Sequence, residues 1–184
     1  MDKNSLLLNI TRDAIKSHFN PDIKIDKDAL LLKYPFLKEQ KATFVTLTID
    51  GKLRGCIGSL IAHRTLLEDL ISNGKAAAFS DPRFSPLSKD EFNKVKVEIS
   101  ILTQPKHLEY KDFDDLKKKL RPKKDGVILQ LGDKRATFLP QVWEQLPTFD
   151  EFMVHLCKKA GLNPSSLSSF PTIYTYEVIK IKGD

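Results

Sequence analysis

Apolar residues recur along this chain in two rhythms, one of about four residues and one of two, and the switches between them mark out helices and strands. Leu6, Leu7, Ile10, Ala14 and Phe19 fall at helical spacing with charges between them, so the N-terminal stretch is read as an amphipathic helix that ends before Pro21. Residues 22–40 hold no sustained period. Pro35 disfavours helix at Tyr34, and the segment is read as loop with one short helix. Thr43–Ile49 alternates Phe44, Thr46 and Thr48 against Val45, Leu47 and Ile49, the pattern of a half-buried strand, and Asp50-Gly51 turns the chain back into a second strand.

Thr65 with Glu68 forms a capping box that opens a helix through Leu66, Leu67, Leu70, Ile71 and Ala76 to Phe79, and Ser88 with Glu91 forms another on a short turn. Gly74 inside the longer helix costs about 1 kcal/mol relative to alanine and is its weak point. Val95, Val97, Ile99 and Ile101 alternate with Lys96, Glu98 and Ser100 in a strand stopped by Pro105. Residues 112–120 read as a short helix and 121–125 as a basic loop. Residues 127–131 and 136–139 read as a hairpin joined through 132–135. Pro140 opens a short helix with Gln141, Val142 and Trp143. Thr148 and Glu151 cap a helix to Ala160, closed by Gly161 and Asn163-Pro164. Residues 172–181 alternate once more and read as one last strand. Hairpins mixed with helices, and no repeating strand-helix ladder, predict an α+β class with a mainly antiparallel sheet flanked by helices. There is no long linker and no internal repeat.

Composition narrows the class without changing it. At 184 residues, 41% hydrophobic and 29% charged, the chain has the content of an ordinary globular domain, built as one body or as two closely packed lobes. A net charge of +6, from 30 basic and 24 acidic residues, fits weak attraction to anions and falls short of a dedicated nucleic-acid binder. Residues 1–19 mix charges with apolar residues, unlike a signal peptide, and no apolar run approaches the ~20 residues of a membrane span. Cys56 and Cys157 are far apart and are expected to be free thiols in a reducing cytoplasm. His18, His63, His107 and His155 are scattered, so neither a metal site nor a cofactor is expected.

The stretch with the most chemistry is Leu53-Arg54-Gly55-Cys56-Ile57-Gly58, where Gly55 and Gly58 leave backbone unshielded beside a thiol and Arg54 offers it a cation. A two-residue turn at Asp50-Gly51 pairs Cys56 with Val45 and Arg54 with Leu47, which makes the thiol a packing group. A three-residue connection slips the register, pairs Cys56 with Phe44 and Arg54 with Thr46, and makes it part of a site. In a site, the cation favours the thiolate. Arg54 binds either a small anion or, as a structural salt bridge, Asp81 or Glu98. Asp81 and Arg83 are ligand-binding candidates that an ordinary turn also explains. Glu98, on one face of a strong strand, is the candidate general base, against a plain solvated sheet face. Gln141, at a helix start, is a candidate anion contact, against an ordinary exposed polar residue. Cys157 reads as core, and the basic 117–124 segment as a solvated face, without the aromatics of an RNA groove.

The Leu-Arg-Gly-Cys-Ile-Gly stretch resembles the signature of the AMMECR family. Residues 76–84 (Ala-Ala-Ala-Phe-Ser-Asp-Pro-Arg-Phe), Glu98-Ile99-Ser100, residues 137–142, residues 156–162 and the closing Tyr-x-Tyr-Glu-Val match in order, over nearly the whole chain from about residue 5. The resemblance implies a single AMMECR-type domain over residues 1–184 in two lobes, cytosolic in prokaryotes. It also implies association with a Memo-like protein and a radical S-adenosylmethionine protein, the AmmeMemoRadiSam set. It supplies no settled reaction. Asn73-Gly74 and the lysine-rich 117–124 segment depart from the family pattern. Two functions therefore fit these residues: a small enzyme or enzyme subunit with an anion-binding cleft around Arg54 and Cys56, and a non-enzymatic adaptor that docks one of those partners. Weak nucleic-acid binding is a third.

Overall fold

The computed structural model describes residues 2–183. In chain order they form α1 (Lys3–Phe19), α2 (Lys27–Lys33), β1 (Thr43–Ile49), β2 (Lys52–Gly58), α3 (Leu66–Phe79), α4 (Lys89–Phe92), β3 (Lys96–Leu102), β4 (Lys106–His107), α5 (Phe113–Lys119), β5 (Gly126–Leu131), β6 (Lys134–Phe138), α6 (Phe149–Lys159), β7 (Thr172–Tyr176) and β8 (Val178–Lys182). Short 3-10 turns lie at Pro35–Lys38, Pro140–Glu144 and Pro164–Ser169. The class is α+β, with two four-stranded, mainly antiparallel sheets in the orders β2-β1-β3-β8 and β4-β7-β5-β6. The chain divides into two compact units: the described residues through Leu102 with those from Ile179 onward, and Thr103–Val178.

In the first unit, Asp2 caps α1 by accepting the Asn4 and Ser5 N–H groups, and the helix ends at Asn20, as Pro21 requires. The capping box at Thr65 and Glu68 opens α3, which runs unbroken through Gly74. A Cβ at Gly74 would lie 3.0 Å from Thr11 Cγ2, so the residue that weakens the isolated helix is what lets α1 and α3 close on each other. Leu7 and Ile15 of α1, Leu67 and Leu70 of α3, and Val45, Leu47 and Ile99 of the sheet are fully buried together. Leu37 joins them from the 3-10 turn after Pro35, and burying it contributes about 2 kcal/mol, enough to anchor a segment that lacks a period of its own.

The second unit packs Leu116, Leu129, Phe152, Met153, Leu156, Cys157 and Ile173 around Trp143, whose ring stacks on Phe152 at 3.7 Å. Trp143 Nε1 donates to the Asp125 carbonyl at 2.9 Å, so the buried indole is satisfied. The buried Asp125 carboxylate accepts from the Arg121 backbone N–H and guanidinium, which turns the expected basic loop of 121–125 into a closed ion-paired turn.

Two expectations about strands need correction. Residues 172–181 are not one strand: β7 pairs with β4 and β5, whereas β8 belongs to the other sheet. The break falls at Glu177, whose N–H bonds Thr103 Oγ1 at 2.8 Å and whose carbonyl accepts from Thr103 N at 2.9 Å, so the backbone leaves one ladder there. The β5–β6 turn uses only Gly132-Asp133, with Gly132 at φ 62, which leaves Lys134 and Arg135 in the strand.

Candidate functional site

Residues 53–58 form the second strand of a hairpin, but neither expected register holds. Asp50 and Gly51 have φ of 52 and 76, the two-residue turn that matches strand twist, and Ile49 and Thr48 pair with Lys52 and Leu53. The ladder then skips one residue: Leu47 pairs with Gly55, Thr46 with Cys56, Val45 with Ile57 and Phe44 with Gly58, so Arg54 is the extra residue of a β-bulge. Without the bulge, Arg54 would face Leu47 on the buried side, where a guanidinium is costly; with it, Gly55 takes that place. A Cβ at Gly55 would lie 2.1 Å from the Ala77 carbonyl oxygen of α3. A Cβ at Gly58 would lie 2.2 Å from the Phe44 ring. The two glycines therefore serve close packing, not an open ligand cradle.

Arg54 finds a carboxylate other than the two expected. Its Nε and Nη2 donate to Glu91 Oε1 and Oε2 at 2.8 and 3.0 Å, and Nη2 also donates to the Ser85 carbonyl at 3.0 Å. Glu91 Oε2 also accepts the Ser88 N–H of its capping box, and the Arg54 hydrogen bonds are the main reason its carboxyl is held down at about 2. Only 13% of the Arg54 side chain is exposed, so its donors are committed to the protein.

Cys56 sits between two kinds of neighbour. Its Sγ lies 3.3 Å from Thr46 Oγ1, on the sheet face turned away from α3. Its backbone points off the free edge of β2, where the N–H donates to Asp81 Oδ2 at 2.9 Å and the carbonyl accepts from Arg83 Nη2 at 3.3 Å. Arg83 in turn donates to both Asp81 oxygens, Nε to Oδ1 at 3.0 Å and Nη2 to Oδ2 at 2.8 Å. The pair acts as a clip standing in for a neighbouring strand. The Arg83 hydrogen bonds hold the buried Asp81 carboxyl far below its usual range and push the guanidinium up. Of the two partners, Arg83 is the exposed one, with 54% of its side chain open.

Glu98 lies across β1 from Cys56, since Thr46 pairs with both. Two strand spacings put about 9–10 Å between the backbones of those two residues, beyond direct contact. Glu98 is ion-paired with Lys182 at 3.5 Å and Lys180 at 4.0 Å. The structure thus brings Arg54, Gly55, Cys56, Gly58, Asp81, Arg83 and Glu98 into the first unit. Gln141 belongs to the second, exposed in its 3-10 turn. Cys157 is fully buried there, and burial pushes its thiol up.

One cluster escaped the sequence reading. Asp69, fully buried on α3, accepts from Thr43 N and Oγ1, Ser59 Oγ, Asn73 Nδ2 and the Arg64 guanidinium. Asn73 Nδ2 also donates to the Thr43 carbonyl. The network ties the connection after β2 to α3 and β1. Two polar residues one helical turn apart within a buried stripe were its signal.

Among known proteins, the family model described as AMMECR1 matches residues 8–181. A protein of Saccharolobus islandicus is 38% identical over 169 residues, covering 86% of this chain and 71% of the relative. A protein of Methanothermobacter thermautotrophicus is 34% identical, covering 89% and 84%. The crystal structure of an uncharacterised protein from Pyrococcus horikoshii superposes with a TM-score of 0.76 at 30% identity, covering 95% of this chain and 88% of that one. With the family model matched over residues 8–181 and relatives above 30% identity over most of its length, the chain belongs to the AMMECR1 family.

Proposed function

We propose that the protein is a small cytoplasmic enzyme or enzyme subunit in which the Cys56 thiol meets a small anionic ligand, with Arg83 and not Arg54 as the charge beside it. The observation that carries this reading is the clip: both outward polar groups of the Cys56 backbone are held by an Asp81–Arg83 pair, which fixes the half-buried thiol on the sheet face turned away from α3. Arg83 keeps half its side chain exposed, whereas Arg54 is consumed by Glu91 and Ser85. Glu98 then acts as a base only on a ligand that spans the Thr46 position, given its distance from the thiol.

Leu53, Leu60 and Ile61 favour a second reading. They are 43%, 43% and 59% exposed, at the start of β2 and just beyond its end. In that reading the edge docks a protein, the Memo-like or radical S-adenosylmethionine partner implied by the resemblance, and Cys56 has no chemistry.

Timed alkylation of the native protein with mass mapping separates the two. Cys56 should react well before Cys157, and Arg83→Ala should slow it by removing the neighbouring cation. If Cys56 stays unmodified until the protein unfolds, or Arg83→Ala leaves its rate unchanged, the thiol reading fails and the docking reading replaces it.

A further inference from the structure

Arg12 stands apart from the other arginines. Arg54, Arg64, Arg83 and Arg121 each hold a carboxylate, of Glu91, Asp69, Asp81 and Asp125 respectively, and Arg135 is exposed. Arg12 is half-buried and forms no ion pair among the described residues. Its Nη1 donates to the Val95 carbonyl at 2.9 Å, and its guanidinium lies 5.0 Å over the Phe92 ring, so it is held in one orientation. A half-buried guanidinium with donors to spare and no counter-charge favours an anion.

Arg12 lines a cavity of about 440 Å³ between α1 and the start of β3, together with Lys94, Lys96, Ser5, Asn93 and Leu8. Among the described residues no carboxylate lines it, and neither lysine forms an ion pair. Three cations around one space suit a dianion better than a single carboxylate, because the second negative charge meets attraction in place of repulsion. The space exceeds what a bare oxyanion fills, and Ser5, Asn93 and Leu8 offer polar and apolar contact to an organic body.

We propose that this cavity binds the phosphate group of a small phosphomonoester, with Arg12 as the oriented donor and Lys94 and Lys96 as flanking charges. The site is separate from the Cys56 strand and does not rest on the thiol reading.

The test is calorimetric titration with inorganic phosphate and with glycerol 3-phosphate, against glycerol and against chloride at matched ionic strength, with amide shifts mapped by NMR. Phosphate should bind and move the amides of residues 93–97, and glycerol 3-phosphate should bind more tightly than phosphate. Arg12→Gln should weaken both by about tenfold or more. The Lys94→Gln, Lys96→Gln double variant, which leaves the Arg12 contacts to Val95 and Phe92 in place, should weaken them as well. Arg83→Ala should bind like the wild type. The proposal is overturned if chloride gives the same shifts, if glycerol 3-phosphate gains nothing over phosphate, or if the double variant binds unchanged. Loss in Arg83→Ala alone would move the anion to the Cys56 strand instead.

Discussion

The two hairpins of this chain both turn through two residues and then diverge. From Leu131 and Lys134 to Val127 and Phe138, the β5–β6 ladder keeps one register. The β1–β2 ladder keeps the same rule for two pairs and then skips Arg54. The third residue of β6 is Ala136, which sits opposite Leu129 and is comfortable when buried. The third residue of β2 is Arg54, which the regular register would press against Leu47. One charged side chain at a core position is enough to break a ladder, and the break moves every later side chain of β2 to the opposite face. Cys56 owes its place beside Thr46, and off the core, to that slip.

The contrast can be broken most sharply at Gly55. Gly55→Ala drives a methyl into the Ala77 carbonyl of α3 and should destabilise the protein by about 3 kcal/mol or more, read by chemical denaturation. A wild-type midpoint would mean that α3 does not hold the bulge in place. Arg54→Ala should cost less, about 1–2 kcal/mol for a lost bidentate pair whose Glu91 end is partly solvated. It should leave the alkylation rate of Cys56 unchanged, whereas a slowed rate would restore Arg54 as the neighbouring cation.

The acid and alkaline limits of stability should divide between the same two regions. Glu91 and Asp81 have folded values below their unfolded ones, so their stabilisation is present above the ordinary carboxylate range and is lost as pH falls, for Glu91 from about 4.5 toward about 2. Arg54→Ala should flatten that limb. Tyr176, in the second unit, is pushed up to about 12 by burial, so its contribution is intact below 10 and is lost as pH rises from 10 toward 12. Tyr176→Phe should flatten only the alkaline limb, and denaturation midpoints across pH would show any crossover. The smallest effect is expected at Gln141. Gln141→Ala should shift the thermal midpoint by less than the equivalent of about 0.5 kcal/mol, since the residue is exposed. A larger loss would give it a structural role that its exposure does not predict.

Much of the fold was legible because its signals act over a few residues. The three capping boxes, the Asp50-Gly51 turn and the strand from Thr43 to Ile49 formed as read. The candidate site was legible as a place and less so as chemistry. Arg54, Cys56, Asp81 and Arg83 do gather, yet the arginine expected to serve the thiol is tied to Glu91, and Asp81 grips a backbone. Gln141 stands at a helix start, a feature that says nothing about which unit carries it.

The sequence by itself determined the longer helices, their three capping boxes, the Asp50-Gly51 turn and the α+β class, because each depends on hydrogen bonds and apolar periods within one or two turns of chain. It also held the reason for the bulge, an arginine at a core position, though not where that side chain would go. Only the tertiary structure decided that Arg54 meets a carboxylate 37 residues away, that Asp81 and Arg83 clip the Cys56 backbone, and that β7 and β8 belong to different sheets. Those contacts join segments with no local preference for each other, so only the packing of α3, α4 and the sheets sets them.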